Sequence, residues 1–160
     1  MYNYDVLVVG GGFTGAAAAI AAAREGLDTI IIESAGALGG AATNCLVNPF
    51  MDYHMSVNEN GEKKSVAINV GIFAEIRKRL AECGGMESAE RWAFDEEKLK
   101  VVLDDMCAEN GVKVLFHATL CGAESRDGKI ESIDVITKAG RLAFAAKTYI
   151  DCSGDADLAF

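Results

Sequence analysis

The sequence predicts an α/β fold: a parallel sheet with an inserted antiparallel β-meander. Three observations carry this. A strand-like run, "DVLVVG" at residues 5–10, leads into an alanine-dominated stretch at 14–25 and then a second β-branched run, "LDTIIIE" at 27–33. A later run, "VKVLFHATL", reads as a third buried strand. After it, turn signals at Asp127-Gly128 and Ala139-Gly140 divide the text from about 118 to 146 into a meander.

Each element has its local reason. The apolar run of 5–10 ends in glycine, as a strand buried on both faces would. Alanine gives the next segment high helix propensity, and Gly26 stands where a C′ residue belongs. Strand, helix and strand make one βαβ unit, whose crossover is right-handed. Residues 34–55 mix glycines, the single Pro49 and aromatics, and are predicted as a long loop, with "GEKKS" a polar turn beyond it. Ile72, Phe73, Ile76 and Leu80 mark an amphipathic helix ending near Gly84-Gly85. Within it "EIRKRLAE" reads as a solvated face with i,i+4 pairs. A second helix starts at an Asp95 cap with Glu96 and Glu97 in its first turn and stops at Asn110-Gly111. Trp92 and Phe94 before it are expected to pack as a staple. "KTYIDCSG" is a last short strand running into Ser153-Gly154.

Composition narrows the function. With 160 residues the chain is about one domain, and 51% apolar content supports a real core. A net charge of −9 with scattered acids argues against a nucleic-acid or anionic-membrane surface. No stretch is apolar for long enough to span a bilayer. The five dispersed cysteines suggest reduced thiols and a cytoplasmic location, and no metal site is expected.

The chemistry-bearing pattern is GxGxxG at Gly10, Gly12 and Gly15. Placed after a strand and opening a helix, it identifies a Rossmann-like sheet of the FAD/NAD(P)-binding type. Gly10 allows the tight turn, Gly12 the approach of a pyrophosphate to the helix N-terminus, and Gly15 close helix–strand packing. Gly11 is expected to be a spare position that tolerates Ala, whereas Gly12→Val should abolish cofactor binding. Glu33 ends the second strand, where its carboxylate can accept from ribose hydroxyls and repel a 2′-phosphate. The βαβ unit alone does not separate NAD from FAD. A second glycine pair, Gly39-Gly40, the helix and meander before the last strand, and the terminal "DCSGDADLA" lean toward FAD.

"YDVLVVGGGFTGAAAAIAAAREGLDTIIIESAGALGGAATNCLVNPF", together with "TYIDCSGDADLA", resembles the N-terminal part of the FAD-dependent oxidoreductase family, with its glutathione-reductase-like FAD domain. The resemblance implies that Gly10, Gly11, Gly12, Phe13, Thr14 and Gly15 hold the FAD pyrophosphate. It implies that Glu33, with Ser34 beside it, takes the adenosine ribose, and that Gly39, Gly40, Ala41 and Ala42 follow the pyrophosphate–ribityl stretch. Ser153, Gly154 and Asp155 stand where the family's "ATG" motif closes the last strand, and Leu120 where its backbone meets the adenine. Disulfide reductases of this kind carry CxxxxC after the glycine pair. Here Ala42 and Val47 occupy those positions with Cys45 between them, which argues against a dithiol mechanism.

Asp52, Tyr53 and His54 follow the glycine pair on the side a flavin ring should occupy. His54 and Cys45 are the candidate catalytic residues; the plainer readings are a solvated histidine and a small buried thiol. His117 reads as a strand-end residue. Relatives are longer, so residues 1–160 are expected to be one FAD-binding domain, incomplete at its C-terminus, which stops in the first turn of a helix. The remainder of a longer chain or a second subunit would complete it. The expected function is hydride or electron transfer with an unknown small-molecule substrate. The alternatives are a non-catalytic cofactor-binding fragment and an NAD-dependent dehydrogenase domain.

Overall fold

A computed structural model of the chain describes residues 1–51, 53–87 and 92–160. The expected βαβ unit comes first: β1 (Tyr2–Val9), α1 (Phe13–Arg24) and β2 (Thr29–Ile32). A single 3₁₀ turn, Gly40–Ala42, precedes a hairpin of β3 (His54–Glu59) and β4 (Glu62–Ala67). Then come α2 (Ile72–Glu82), α3 (Glu96–Glu109), β5 (Lys113–Leu115), β6 (Thr119–Arg126), β7 (Lys129–Thr137) and β8 (Gly140–Asp151). Six strands form one sheet in the order β5-β2-β1-β8-β7-β6. The β5, β2, β1 and β8 pairings are parallel, and β8-β7-β6 are antiparallel.

β1 is apolar on both sides because both sides are covered. Val6 and Val8 face Ala16, Ala19 and Ile20 of α1, with Ile76 and Leu80 of α2 and Leu99, Leu103 and Met106 of α3 in the same core. Leu7 and Val9 pack in a second core with Ile133 and Val135 of β7, Phe144 of β8 and Leu158. The meander thus covers the face that a second helical layer covers in doubly wound sheets.

The structure corrects several expectations. The meander's last strand and the final parallel strand are one twelve-residue strand, β8, so the meander runs to Asp151 rather than ending near 146. Residues 140–144 of β8 pair with β7, and 144–151 pair with β1. The run "VKVLFHATL" is split between β5 and β6 by His117, whose φ of 52° turns the chain. The loop and polar turn of the middle contain the β3–β4 hairpin, closed by Asn60 and Gly61 at φ 55° and 88°. Asn-Gly is the strongest short hairpin signal and was available in the sequence.

Arg77 does not belong to a solvated face: it is buried, with its guanidinium 4.0 Å from the centre of the Tyr53 ring. Its neighbours Glu75 and Arg79 do form the i,i+4 pair. Phe94 is buried and stacks on Phe50 at 4.2 Å, while Trp92 is exposed rather than packed beside it. The Asp95 cap is present, its Oδ1 accepting from the Lys98 N–H at 3.0 Å. Residues 152–160 form turns, not the opening of a regular helix. Asp52 lies outside the described residues.

Candidate functional site

A cleft of about 690 Å³ opens at the carboxyl ends of β1, β2 and β8. β1 is the switch point of the sheet, since β2 lies on one side of it and β8 on the other. Open α/β sheets bind ligands at such a point. A larger hollow of about 970 Å³, between Pro49, Gly84–Glu87 and Trp92–Glu96, takes none of its lining from the strand ends and borders the undescribed residues. The cleft is therefore the candidate site.

Its floor is the first glycine loop. At Gly10 φ is 96°, and an added Cβ would lie 2.3 Å from the Cys152 carbonyl oxygen. At Gly15 a Cβ would lie 1.8 Å from the Gly10 oxygen, so α1 reaches its close seat only with glycine there. Gly12 caps α1 and has no atom within 4 Å of where its Cβ would be. No side chain caps α1 and no acid occupies its first turn. The helix thus presents free N–H groups and its positive dipole end to the cleft, a ready seat for a phosphate.

Gly11 has a different duty from the spare position expected of it. It is buried, and a Cβ there would meet Leu38 Cδ2 at 2.6 Å and Glu33 Oε2 at 2.9 Å. Its N–H donates to Glu33 Oε2 at 2.6 Å, and its carbonyl accepts from the Gly39 N–H at 2.8 Å. The other Glu33 oxygen accepts the Ala35 N–H at 2.6 Å. Glu33 is 7% exposed and lines the cleft while holding the first glycine loop to the end of β2.

The second glycine pair packs directly on the first. Gly12 and Gly39 form a parallel bridge, and a Cβ on Gly40 would lie 3.0 Å from Gly12 Cα. Phe13, Thr14, Ser34, Gly39, Gly40, Ala41, Ala42, Leu120, Ser153 and Gly154 line the cleft together with Gly10, Gly12 and Glu33. Gly11, Gly15 and Asp155 do not, and Asp157 takes a place in the wall instead. Cys45 lines the cleft; His54 does not, its ring lying 4.4 Å from that of buried Tyr53.

Two features escaped sequence reasoning, an aromatic stretch of the cleft lining and the acid behind its β8 wall. Phe50 and Phe73 join Phe13 in an aromatic wall, the Phe50 ring edge-on to both at 5.5 and 5.2 Å. Only tertiary folding brings them together, and no local period announces them. Asp151 was legible: "TYID" ends an apolar strand in an acid just as "TIIIE" does. Its carboxylate accepts the Ser153 N–H and Oγ–H and the Leu158 and Ala159 N–H groups. Burial pushes its pKa up, but those hydrogen bonds, led by the Ser153 hydroxyl, outweigh it and hold the group below the usual carboxylate range. Beside it, burial raises the Cys152 thiol, with the Asp151 charge adding to the effect. Among the described residues no three His, Cys, Asp or Glu side chains cluster as a metal site would need.

Comparison with known proteins now decides the family. The family model for FAD dependent oxidoreductases matches residues 5–160. The chain belongs to the FAD-dependent oxidoreductase family. It is 26% identical over 147 residues to a dihydrolipoyl dehydrogenase of Trypanosoma brucei brucei, a match over 86% of this chain and 30% of that one. A geranylgeranyl bacteriochlorophyll reductase-like protein of Thermoplasma acidophilum superposes with a TM-score of 0.57 at 21% identity, over 94% of this chain and 39% of that one. A 3-ketosteroid-delta4-(5alpha)-dehydrogenase of Rhodococcus jostii does so with a TM-score of 0.58 at 16% identity, over 94% and 45%. The chain therefore spans less than half the length of each of these relatives.

FAD is the cofactor of the family to which the chain belongs. The cleft suits it on three counts: an uncapped helix N-terminus, open space over Gly12 and the Glu33 carboxylate in the lining just past β2. No helix among the described residues is long and apolar enough to cross a membrane.

Proposed function

We propose that this chain is the FAD-binding part of a flavin-dependent oxidoreductase that passes hydride or electrons between the flavin and a small-molecule substrate. When bound, the flavin supplies the redox chemistry, and the protein supplies binding, orientation and electrostatics. The backbone N–H groups of Gly12, Phe13 and Thr14 at the start of α1 hold the pyrophosphate. The Glu33 carboxylate, each oxygen already accepting one backbone N–H, accepts the adenosine ribose hydroxyls with its remaining lone pairs. The Gly39–Ala42 segment follows the ribityl stretch, and the backbone near Leu120 meets the adenine. Ser153 and Gly154 border the cofactor on the β8 side. The carrying observation is the free, uncapped start of α1 over an open Gly12, since no other described helix start sits among glycines and a ribose-binding acid.

The substrate-binding part is proposed to come from a further segment or a second chain, because the relatives are so much longer than 160 residues. A cytoplasmic setting is part of the same reading, supported by five cysteines that are all free. Titration with FAD, followed by quenching of flavin fluorescence and by the visible absorption of the bound form, tests the proposal. Saturable FAD binding with no comparable binding of NADH supports it. Binding of NADH alone would move the chain to the NAD-dependent dehydrogenases in function.

A further inference from the structure

We infer that Asp151 is a positioning residue for the cofactor, clamping the turn after β8 so that its backbone forms the cleft wall beside Gly10. This rests on the reading of the cleft as an FAD site. Asp151 itself is fixed at the end of β8, opposite Val9 of β1, and the next residue continues the ladder through Cys152 N–H to Val9 O at 2.8 Å. From that anchored position each carboxylate oxygen does separate work. Oδ1 accepts the Ser153 N–H at 3.0 Å and its hydroxyl at 2.7 Å. Oδ2 accepts the Leu158 and Ala159 N–H groups at 3.0 and 2.9 Å. The Ser153 Oγ in turn accepts the Asp157 N–H at 2.8 Å.

One side chain thus gathers both ends of the 153–159 turn, and the residues between them, Ser153, Gly154 and Asp157, line the cleft. Gly10 depends on the same wall, since its Cα faces the Cys152 carbonyl and Ser153 Cα closely enough to exclude any side chain. The aspartate is the counterpart of Glu33 across β1. Each acid ends a strand beside β1 and accepts backbone N–H groups of the loop that borders the site.

Asp151→Asn tests this with almost no change in shape. Asparagine keeps one acceptor oxygen, but its NH₂ must then face either the Ser153 or the Leu158 and Ala159 donors. Removing a negative charge near a diphosphate would by itself tighten binding, so weakening reports lost positioning rather than charge. FAD affinity is measured by fluorescence titration well below the melting temperature, with circular dichroism verifying that the variant is folded. We expect FAD affinity to fall about 10- to 100-fold, the range seen when supports of metal-binding side chains are removed. A variant that melts earlier but binds FAD as the parent does would overturn the inference and leave the FAD reading intact. Should Asp151→Asn not fold, Ser153→Ala decides, since it removes the hydroxyl link to both Asp151 and Asp157. A several-fold weaker affinity supports the clamp, and an unchanged one overturns it. If the parent chain binds no FAD, the cofactor reading fails and this inference fails with it.

Discussion

Gly11 and Gly12 are adjacent in the sequence and opposite in their work, and substituting each separately exposes the difference. Gly11→Ala would place a methyl 2.6 Å from Leu38 Cδ2 and 2.9 Å from Glu33 Oε2. Neither neighbour has room to yield, because Leu38 is fully buried and Glu33 is tied to two backbone amides. Overpacking of this kind costs about 1–3 kcal/mol, and weakening the Gly11 hydrogen bond to a charged acceptor adds about 1.5–3 kcal/mol. At roughly 2–4 °C per kcal/mol for a domain of this size, the melting temperature should fall by roughly 5–24 °C. Gly12→Ala meets no atom, and at φ −65° and ψ −174° its backbone suits any residue. Its stability should hold or rise by about 0.4–1 kcal/mol through the less flexible unfolded chain. Its methyl enters the space assigned to the pyrophosphate, so FAD affinity should drop, and Gly12→Val should abolish it. Differential scanning fluorimetry without FAD, followed by FAD titration, separates the two effects. A Gly11→Ala protein melting within about 2 °C of the parent would refute the packing account.

Other substitutions follow from the same geometry. Asp151 lies below its ordinary value of 3.8 in the folded chain, so its stabilisation is full above that value and is lost as pH falls through the folded pKa. The stability gap between parent and Asp151→Asn, from urea melts, should therefore narrow between about pH 5 and pH 3; a gap that widens would contradict the hydrogen-bonding scheme. Arg77→Ala removes a buried guanidinium stacked on Tyr53 and should cost about 2–4 kcal/mol, whereas Arg79→Ala, in a half-buried network with Glu75 and the exposed Glu109, should cost about 1 kcal/mol. Urea melts giving the reverse order would sink that distinction. Burial pushes the Cys107 thiol up to about 12, so a thiol reagent at mildly alkaline pH should label exposed Cys45, Cys83 and Cys121 first and reach Cys107 only on unfolding. Mass spectrometry of the labelled native chain reads the order.

How much of this was legible beforehand follows from range. The β1–α1–β2 unit, both later helices and the Asp95 cap were readable because each depends on neighbours in sequence. Glu33 was readable as an acid closing an apolar strand, although its grip on Gly11 was not, since that contact depends on how the loop folds back. The split of labour between Gly11 and Gly12 likewise depends on Leu38, which only the folded loop brings near. The continuity of β8 was hidden because one strand meets antiparallel neighbours first and a parallel one afterwards, so its pattern changes midway. Arg77 was misread because a charged residue on an amphipathic helix is ordinarily wet, and only the tertiary stacking of Tyr53 explains its burial. Asn60-Gly61 and the acid of "TYID" were local signals that could have been used.

The parallel register of β1 with β8 joins residues far apart in the sequence, with Val6 beside Thr148 and Val9 beside Asp151. Closing so long a loop is entropically slow, and no shorter pairing can replace it. The wall of Cys152 and Ser153 against Gly10 therefore cannot form until β8 has emerged and paired with β1. Until β8 is delivered, the glycine loop has one half of its surroundings. Completion of the cleft is thereby coupled to the pairing of β8 with β1.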